Sequence, residues 1–486
     1  MSESKTTRRL LGPFNRVEGD LEVEVEVNDG QVSSAWVNSP LYRGFENILV
    51  GKDPIDALVY TPRICGICSV SQSVAAARAL AMAQGIDYTP NGRLATNLIL
   101  ACENMADHIS HFYLFFMPDF ARGQYAEQTW YKKVSERFKA QQGTAARDML
   151  PARSEFMHLT GLLAGKWPHS LALQPGGTTR ALEPRERITV LGKIHSFRRF
   201  LENTLFGDKL EAVNAIDSIE ALKRWASEHA DSDFGQFLML ADELQLATLG
   251  RSTDHFLSYG AYEVDEGQHL FNSGTWLQQH HPLQADAITE DISHSWMHAQ
   301  RIPRHPYQGS TEPDAEAPDA YSWCKAPRYD GQVVEVGALA RQIIDANPLA
   351  VALAQQSGGN VQNRVIGRLL ELAQLIPHME HWAQALKSGE AYCHQGSTPK
   401  EGQGMGLVEA ARGSLGHWLR IKRGRIINYQ IIAPTTWNFS PRDENGVPGA
   451  LEQALVNTPV SDDGKDSANI QHVVRSFDPC MVCTVH

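Results

Sequence analysis

The sequence predicts a mainly helical protein with smaller β parts, an α+β fold, and three observations carry that expectation. Long Ala/Leu-rich stretches with a helical period fill the middle of the chain, a strictly alternating segment stands near its start, and glycine-punctuated apolar runs occupy the part from Gly404 onward. Together they predict a large multi-helix core, a long-helix bundle, with an N-terminal β-hairpin or sheet and a β/loop-rich C-terminal region.

In chain order, Leu21 to Val37 (LEVEVEVNDGQVSSAWV) alternates apolar and polar residues on both sides of Asn28-Asp29-Gly30, the pattern of a β-hairpin with one wet face. After Pro62 the period lengthens. Ser69 to Gln84, Arg93 to Met117, Glu186 to Phe206, Asp208 to Glu228, Phe234 to Leu249 and Ala338 to Leu386 read as helices, most of them bounded by proline, glycine or Asn/Asp. Gln268 to Asp330 is rich in His, Pro, Asp and Tyr with short β-like pieces, and later turns alternate with runs such as Arg425 to Ile432. No repeat or long linker divides the chain. The expectation is one large domain over residues 1–486: a β region at 1–60, a helical core at 61–265 and 335–390, a loop/β insertion at 266–334 and a β/loop region at 404–486.

Composition excludes several functions. Acidic residues outnumber basic ones by 56 to 44, for a formal charge of -12, whereas binding to a phosphate backbone needs a concentrated Lys/Arg surface. Nucleic acid is excluded as a ligand. The opening MSESKTTRRLLGPFNRVEGD has no signal-peptide core. No apolar run approaches the roughly 18 residues that span a bilayer, and those around Leu98 and Phe112 are interrupted by Glu103, Asn104 and Asp107. We expect no direct membrane insertion and a cytoplasmic location.

Seven cysteines are too few for a disulfide scaffold. Four are paired, Cys65 with Cys68 and Cys480 with Cys483, while Cys102, Cys324 and Cys393 stand alone and read as scaffold residues. Two C-x-x-C pairs offer four soft thiolates to one cation, and spacing alone leaves open a structural zinc and a redox-active metal. Two features favour the second. Zinc ribbons keep their pairs close in sequence, whereas these stand almost the whole chain apart. The first pair also opens a helix, whose end and free N–H groups favour a reactive thiolate.

The flanking residues resemble those of nickel-iron hydrogenase large subunits. Arg63-Ile64-Cys65-Gly66-Ile67-Cys68 and Asp478-Pro479-Cys480-Met481-Val482-Cys483-Thr484-Val485-His486 are similar to that family's two signature motifs. Arg16-Val17-Glu18-Gly19, Arg43-Gly44-Phe45-Glu46, Pro168-His169, Pro175-Gly176-Gly177, Glu409-Ala410-Ala411-Arg412-Gly413, Asn428-Tyr429-Gln430 and Pro434-Thr435-Thr436-Trp437-Asn438 follow in the family's order. The resemblance runs from end to end.

It implies a centre in which Cys65, Cys68, Cys480 and Cys483 hold nickel, with Cys68 and Cys483 bridging to an iron that carries carbonyl and cyanide. It further implies proton relay from Cys480 to Glu18, the guanidinium of Arg412 over the open metal position with Asp107 and Asp478 as its charge partners, and a wall of Ala433, Pro434 and Thr435 around the diatomic ligands. Glu46, the carbonyl of Ile431 and His486 would hold a magnesium ion. Residue type alone reads Glu18 as a surface carboxylate and Arg412 as a solvated turn residue. It reads His108, His111, His169 and His417 as scaffold histidines. The activity implied is heterolytic splitting of dihydrogen, in which a metal takes hydride and a nearby base the proton.

Three departures point to a branch of the family. Gln72 stands where most members carry histidine four residues past the second cysteine of the first motif. Ile67 and Phe115 stand where the common pattern lines its gas channel with valine and leucine, and the chain stops at His486 without the extension that precursors lose. All three resemble the regulatory, hydrogen-sensing branch, which implies an oxygen-tolerant sensor of low turnover that controls hydrogenase gene expression. No cysteine set remains for iron-sulfur clusters. The expected partner is therefore an iron-sulfur small subunit, in a heterodimer or a dimer of heterodimers, with a sensor histidine kinase beyond it. The alternative is a respiratory uptake hydrogenase feeding a quinone or cytochrome. Complex I subunits that share this fold lack the paired cysteines.

Overall fold

The computed structural model describes residues 7–298, 302–460 and 468–486; the first six residues, which begin the segment read above for a signal-peptide core, lie outside the described residues. Thr7–Leu11 (β1), Glu22–Asn28 (β2) and Gln31–Asn38 (β3) form an antiparallel sheet in the order β1-β2-β3. The expected hairpin is β2 with β3: Val23, Val25 and Val27 are buried, and Glu22, Glu24 and Glu26 alternate with them half-exposed. Strand β1 carries no alternation in its TRRLL sequence, which is why the sequence did not announce it.

Ser69–Gln84 (α1) falls where its period placed it. Pro90–Ser110 (α2) starts at Thr89, whose hydroxyl accepts the Gly92 N–H at 3.0 Å, and runs on into a π-helical turn at His111–Phe116. Every residue from Ala95 to Ser110 is buried, so α2 is the central rod of the core. Thr144–Ala164 (α3) was not legible, because Pro151 and interspersed charges blur its period. Pro184–Phe200 (α4), extended by a π-helical turn at Leu201–Phe206, matches its expectation.

Other expectations are corrected. Asp208 to Glu228 is two helices, Leu210–Asn214 and Ile219–Glu228, because Ser218 accepts the Ala221 N–H at 3.3 Å and caps a new start. Helix Asp233–Glu243 stops short of Leu249. The helical core ends before residue 265, since Phe256–Asp265 (β4) pairs antiparallel with Gln268–Trp276 (β5); its aromatic and β-branched residues suit a strand better than a helix. Ala338 to Leu386 divides into Ala338–Ile344 (α5), Pro348–Ser357 (α6) and Val361–Ala385 (α7). The breaks fall at Asn347-Pro348 and Gly358-Gly359, and Asn347 and Asn360 cap the helices that follow. The C-terminal region is not only strand and loop, for Ala450–Leu455 and Ala468–Ser476 are helical.

Glu401–Ala410 (β6), Gly413–Lys422 (β7) and Arg425–Ile432 (β8) form an antiparallel meander. Its packing on α1 positions the site. A Cβ at Gly404 would stand 1.9 Å from the Ala79 carbonyl oxygen, and one at Gly406 1.9 Å from that of Ala75. Small residues two apart on the strand therefore meet small residues four apart on the helix. The helix that begins after Cys68 is thus seated against the strand that leads to Arg412. Among the described residues no helix is long and apolar enough to cross a membrane.

Candidate metal centre

The first cysteine pair follows a 3-10 turn at Thr61–Arg63 and passes directly into α1, with Cys68 as its N-cap. The second pair sits on a 3-10 turn at Met481–Cys483. Backbone contacts seat that turn: Glu18 and Cys480 form a parallel bridge, and the Met481 N–H donates to the Glu18 carbonyl at 2.7 Å. Gly19 has φ +80°, and a Cβ there would stand 3.1 Å from both the backbone nitrogen and Cγ1 of Val482. Only glycine allows so close an approach in that conformation.

The four Sγ atoms lie within 4.8 Å of one another. Cys65 and Cys480 are 3.5 Å apart, Cys68 and Cys483 3.1 Å, and Cys480 and Cys483 3.1 Å. A disulfide is about 2.05 Å long, so these are free thiols gathered without bonding. Hydrogen bonds from Cys480, Cys483 and Cys68 hold Cys65 well below the ordinary thiol range, whereas Cys68 is pushed well above it, first by its bond with Cys480, and Cys483 by burial. One sulfur sheds its proton while its neighbours cling to theirs. A soft cation shared by four thiolates relieves that conflict, so the donor set fits a nickel-type ion.

Arg412 lies at the tip of the β6–β7 hairpin, as its Ala-Arg-Gly sequence suggested, but it is buried rather than solvated. Its guanidinium grips Asp107 with two contacts of 3.0 Å, reaches Asp478 Oδ1 at 3.3 Å, and donates from Nε to the Asp478 carbonyl at 2.9 Å. Burial pushes Asp107 up to about 8 against the pull of Arg412, while Asp478, although buried, is held below the usual carboxylate range by Arg412 and nearby histidines and Arg368. Asp107 and Asp478 hold the Arg412 cation in place, and Cys480 and Cys68 would add to that hold once deprotonated.

Glu18 is half-buried. Burial, then the charge of Cys65, raises its carboxyl above the usual range against the opposing Arg412. Thr435 stands on the short helix Pro434–Asn438, and its hydroxyl accepts the Cys480 N–H at 3.1 Å, leaving its own proton free; Ala433 and Pro434 are buried beside it. The fold brings Glu18, Arg412 and Thr435 beside the sulfurs, with Asp107 and Asp478 on Arg412.

Glu46, Ile431 and His486 also meet. The Ile431 N–H donates to Glu46 Oε1 at 2.8 Å, and the Glu46 N–H to the His486 carbonyl at 3.3 Å. They line a small cavity with Glu290 and Lys325. Both ring nitrogens of His486 are buried without a hydrogen-bond partner, and Glu290, whose oxygens also lack one, has the Lys325 ammonium at 3.7 Å; a hard cation would satisfy the His486 ring. Burial holds His486 well below its ordinary pKa, in the neutral, ligand-competent form. Lys325 was missed: its Nζ donates to Glu46 at 3.1 Å and to Gln430 at 2.7 Å, and no motif surrounds it in the sequence.

Arg341 was missed as well. It donates to the carbonyls of Ala410 and Ala411, at 2.9 and 3.2 Å, and is itself clamped by Glu371 and Glu409, so it sets the turn that presents Arg412. An arginine inside the wholly buried α5 was the available signal. Of the residues expected to line a gas channel, Ile67 is half-buried between the two cysteines, and Phe115 is half-buried in the π-helical turn after α2. Gln72 accepts the Nε2 proton of His417 at 2.8 Å, while His417 Nδ1 bonds the Tyr429 hydroxyl. His108, His111 and His169 bond Glu371, the Arg475 carbonyl and the Pro62 carbonyl, as scaffold histidines do. Cys102, Cys324 and Cys393 bond only backbone carbonyls and lie outside the sulfur cluster.

Fold and site together define a metalloenzyme subunit built around a buried tetrathiolate. The family model for nickel-dependent hydrogenases matches residues 43–146 and 146–486. The chain is 30% identical to the hydrogenase-2 large chain of Escherichia coli (strain K12), over 99% of this chain and 97% of that one. It is 28% identical to the periplasmic [NiFeSe] hydrogenase large subunit of Desulfomicrobium baculatum, over 98% and 94%, and 29% identical to the uptake hydrogenase large subunit of Rhodobacter capsulatus, over 99% and 95%. The reduced Ni-Fe-Se hydrogenase of D. vulgaris Hildenborough superposes with a TM-score of 0.85 at 28% identity, covering 99% of this chain and all of that one. The chain belongs to the nickel-dependent hydrogenases, as an oxidoreductase large subunit with their fold.

Proposed function

We propose that this subunit splits dihydrogen heterolytically at the point where four cysteine sulfurs, Glu18 and the Arg412 guanidinium converge, and that convergence is the observation that carries the reading. A nickel-iron pair supplies the Lewis acid and the redox capacity when bound. Cys65, Cys68, Cys480 and Cys483 would hold it, with Cys68 and Cys483 on the iron side and Ala433, Pro434 and Thr435 walling carbonyl and cyanide ligands. The chain's own part is the proton. Cys480 receives it at Sγ and Glu18 takes it onward, its carboxyl raised above the usual carboxylate range by burial and by the charge of Cys65. Arg412, pinned by Asp107 and Asp478, keeps a fixed positive charge beside the thiolates and lowers the cost of negative charge there. Glu46, the Ile431 carbonyl and His486 would hold magnesium and tie the C-terminal segment to β8. Electrons leave through an iron-sulfur small subunit. Metal analysis tests this: one nickel and one iron without stoichiometric zinc is expected, together with infrared bands of strong-field diatomics, and zinc alone overturns it.

Within the family we read the chain as a hydrogen sensor of low turnover in the cytoplasm, signalling through a histidine kinase. Gln72, Ile67 and Phe115 support that reading. The uptake hydrogenase of Rhodobacter capsulatus among its relatives supports the alternative, an enzyme feeding a quinone or cytochrome, and the periplasmic relative another compartment. Hydrogen-dependent dye reduction in air by the purified complex separates them. Slow, oxygen-insensitive turnover is expected, and rapid turnover coupled to quinone defeats the sensor.

A further inference from the structure

Helix α1 begins at Cys68, and an N-cap residue ordinarily turns its side chain back onto the amides of the second and third helical residues. Cys68 makes no such bond. The amides of Val70 and Ser71 donate instead to the two oxygens of Glu103, each at 2.9 Å. Glu103 comes from the middle of α2, is 3% exposed, and takes two further donors, the Ser71 hydroxyl and the Trp167 indole N–H, both at 3.0 Å. Four donors and no acceptor favour the carboxylate anion, against a burial that pushes the group up to about 7. Neither the proton path nor the clamp on Arg412 uses this group. Asp107, one turn further along α2, serves Arg412, so one helix face addresses two sides of the site.

We propose that Glu103 caps α1 in place of Cys68, so that the Cys68 sulfur keeps its lone pairs for the metal. Without Glu103, the two first-turn amides would turn to the thiolate that stands at their N-cap. A hydrogen-bonded sulfur donates less to its metal, and such bonds are among the features that set the potentials of thiolate-held centres. The carboxylate also offsets the positive end of α1, which would otherwise draw electron density from the same sulfur. Glu103 is a positioning residue acting through the helix end, and its role rests on the reading that the four sulfurs hold a metal.

The full-length chain loaded with cobalt(II) reports sulfur donation without the native centre, because the sulfur-to-cobalt charge-transfer band rises in energy as the thiolates become poorer donors. In Glu103→Ala the released amides are expected to move that band to higher energy at unchanged cobalt stoichiometry. An unmoved band in the folded variant overturns the proposal. Should that variant not fold, Glu103→Gln, isosteric and left with one accepting oxygen, is expected to move the band the same way by less, and an unmoved band there overturns it equally. A purely structural Glu103 would lower the melting temperature and leave the band in place. Failure of the hydrogenase reading would appear separately, as wild-type holoenzyme without nickel and iron, while the cobalt measurement stays readable.

Discussion

The two C-x-x-C pairs share a spacing and differ in what holds them. The first is carried by a helix end: Cys68 stands at the N-cap position of α1, the first-turn amides of α1 are taken by Glu103, and α1 lies on the glycines of β6. The second is carried by backbone and hydroxyl contacts on a short turn, from Glu18, Gly19 and Thr435, with Asp478 linking it to Arg412. Spacing decides which sulfurs can reach one cation. Support decides what charge and which protons each sulfur meets. Around one cluster the second pair is therefore seated by the segments that carry Glu18 and Asp478, and the first by a helix end, while the charges of Glu18 and Arg412 reach sulfurs of both pairs.

The sharpest way to break the comparison is to remove a sulfur from either pair. Cys68→Ser and Cys483→Ser are both expected to bring nickel in the purified protein to background, measured by elemental analysis, since a hydroxyl is a hard and weakly acidic substitute for thiolate. Retention of nickel by one of them would mean that its pair does not belong to the centre. Next in size is Arg412. Arg412→Leu leaves Asp107 and Asp478 buried without their cation, and breaking such a pair costs about 3–5 kcal/mol, read as a lower melting temperature. Arg412→Lys keeps the charge but loses the fork that grips both carboxylates, and turnover should fall roughly 10- to 100-fold with nickel retained.

Glu18→Gln separates proton handling from metal holding. It should keep the metals and slow exchange of deuterium gas with solvent protons by about 100-fold or more. Unchanged exchange would take Glu18 out of the relay and leave the second pair with only a structural support. The same raised carboxyl gives a pH dependence: exchange should decline as pH falls through its raised pKa, because a protonated Glu18 can no longer accept.

How much of this was legible follows from where each partner comes from. Glu18, Arg412, Asp478 and Thr435 sit inside short ordered motifs, so motif order carried them even where residue type argued the other way, as it did for the buried Arg412. Lys325 and Arg341 sit in no such motif, and their partners arrive from strands and helices distant in sequence. Glu103 and Asn104 were visible only as interruptions of an apolar run, whereas the family resemblance had already named Asp107, which interrupts the same run, as a partner of Arg412. A charge inside a helix too apolar to be a surface helix is itself a signal of buried function, and α2 buries all three. The strand Phe256–Asp265 and helix α3 were lost for a plainer reason: local propensity and period are weak beside tertiary packing, and Pro151 obscured one of them.

Ile67 lies between the cysteines of the first pair, so the comparison can also be sharpened on the side that moves no protons. Ile67→Val with Phe115→Leu should leave nickel content and anaerobic turnover nearly unchanged and make turnover sensitive to air, measured as dye reduction before and after exposure to oxygen. Persisting tolerance would take these two side chains out of any filtering role.

The smallest expected effect is at Gln72, one turn into α1, whose own N–H donates to the Cys68 carbonyl at 3.1 Å. Its side chain accepts from His417, and burial holds His417 neutral, at a pKa of about 3. The Tyr429 hydroxyl donates to His417 Nδ1, which leaves Nε2 as the protonated nitrogen. In Gln72→His the imidazole can accept that same proton on one of its nitrogens, so no tautomer must invert and no charge must be buried. Stability should change by no more than about 1 kcal/mol, the worth of one exchanged hydrogen bond. Turnover should rise by only a few-fold, roughly, because the substitution alters how α1 is braced and not what the sulfurs bind. A change in nickel content or a rise of more than about 100-fold would show that the first pair depends on its helix for chemistry as directly as the second depends on Glu18, and the division between the two supports would be lost.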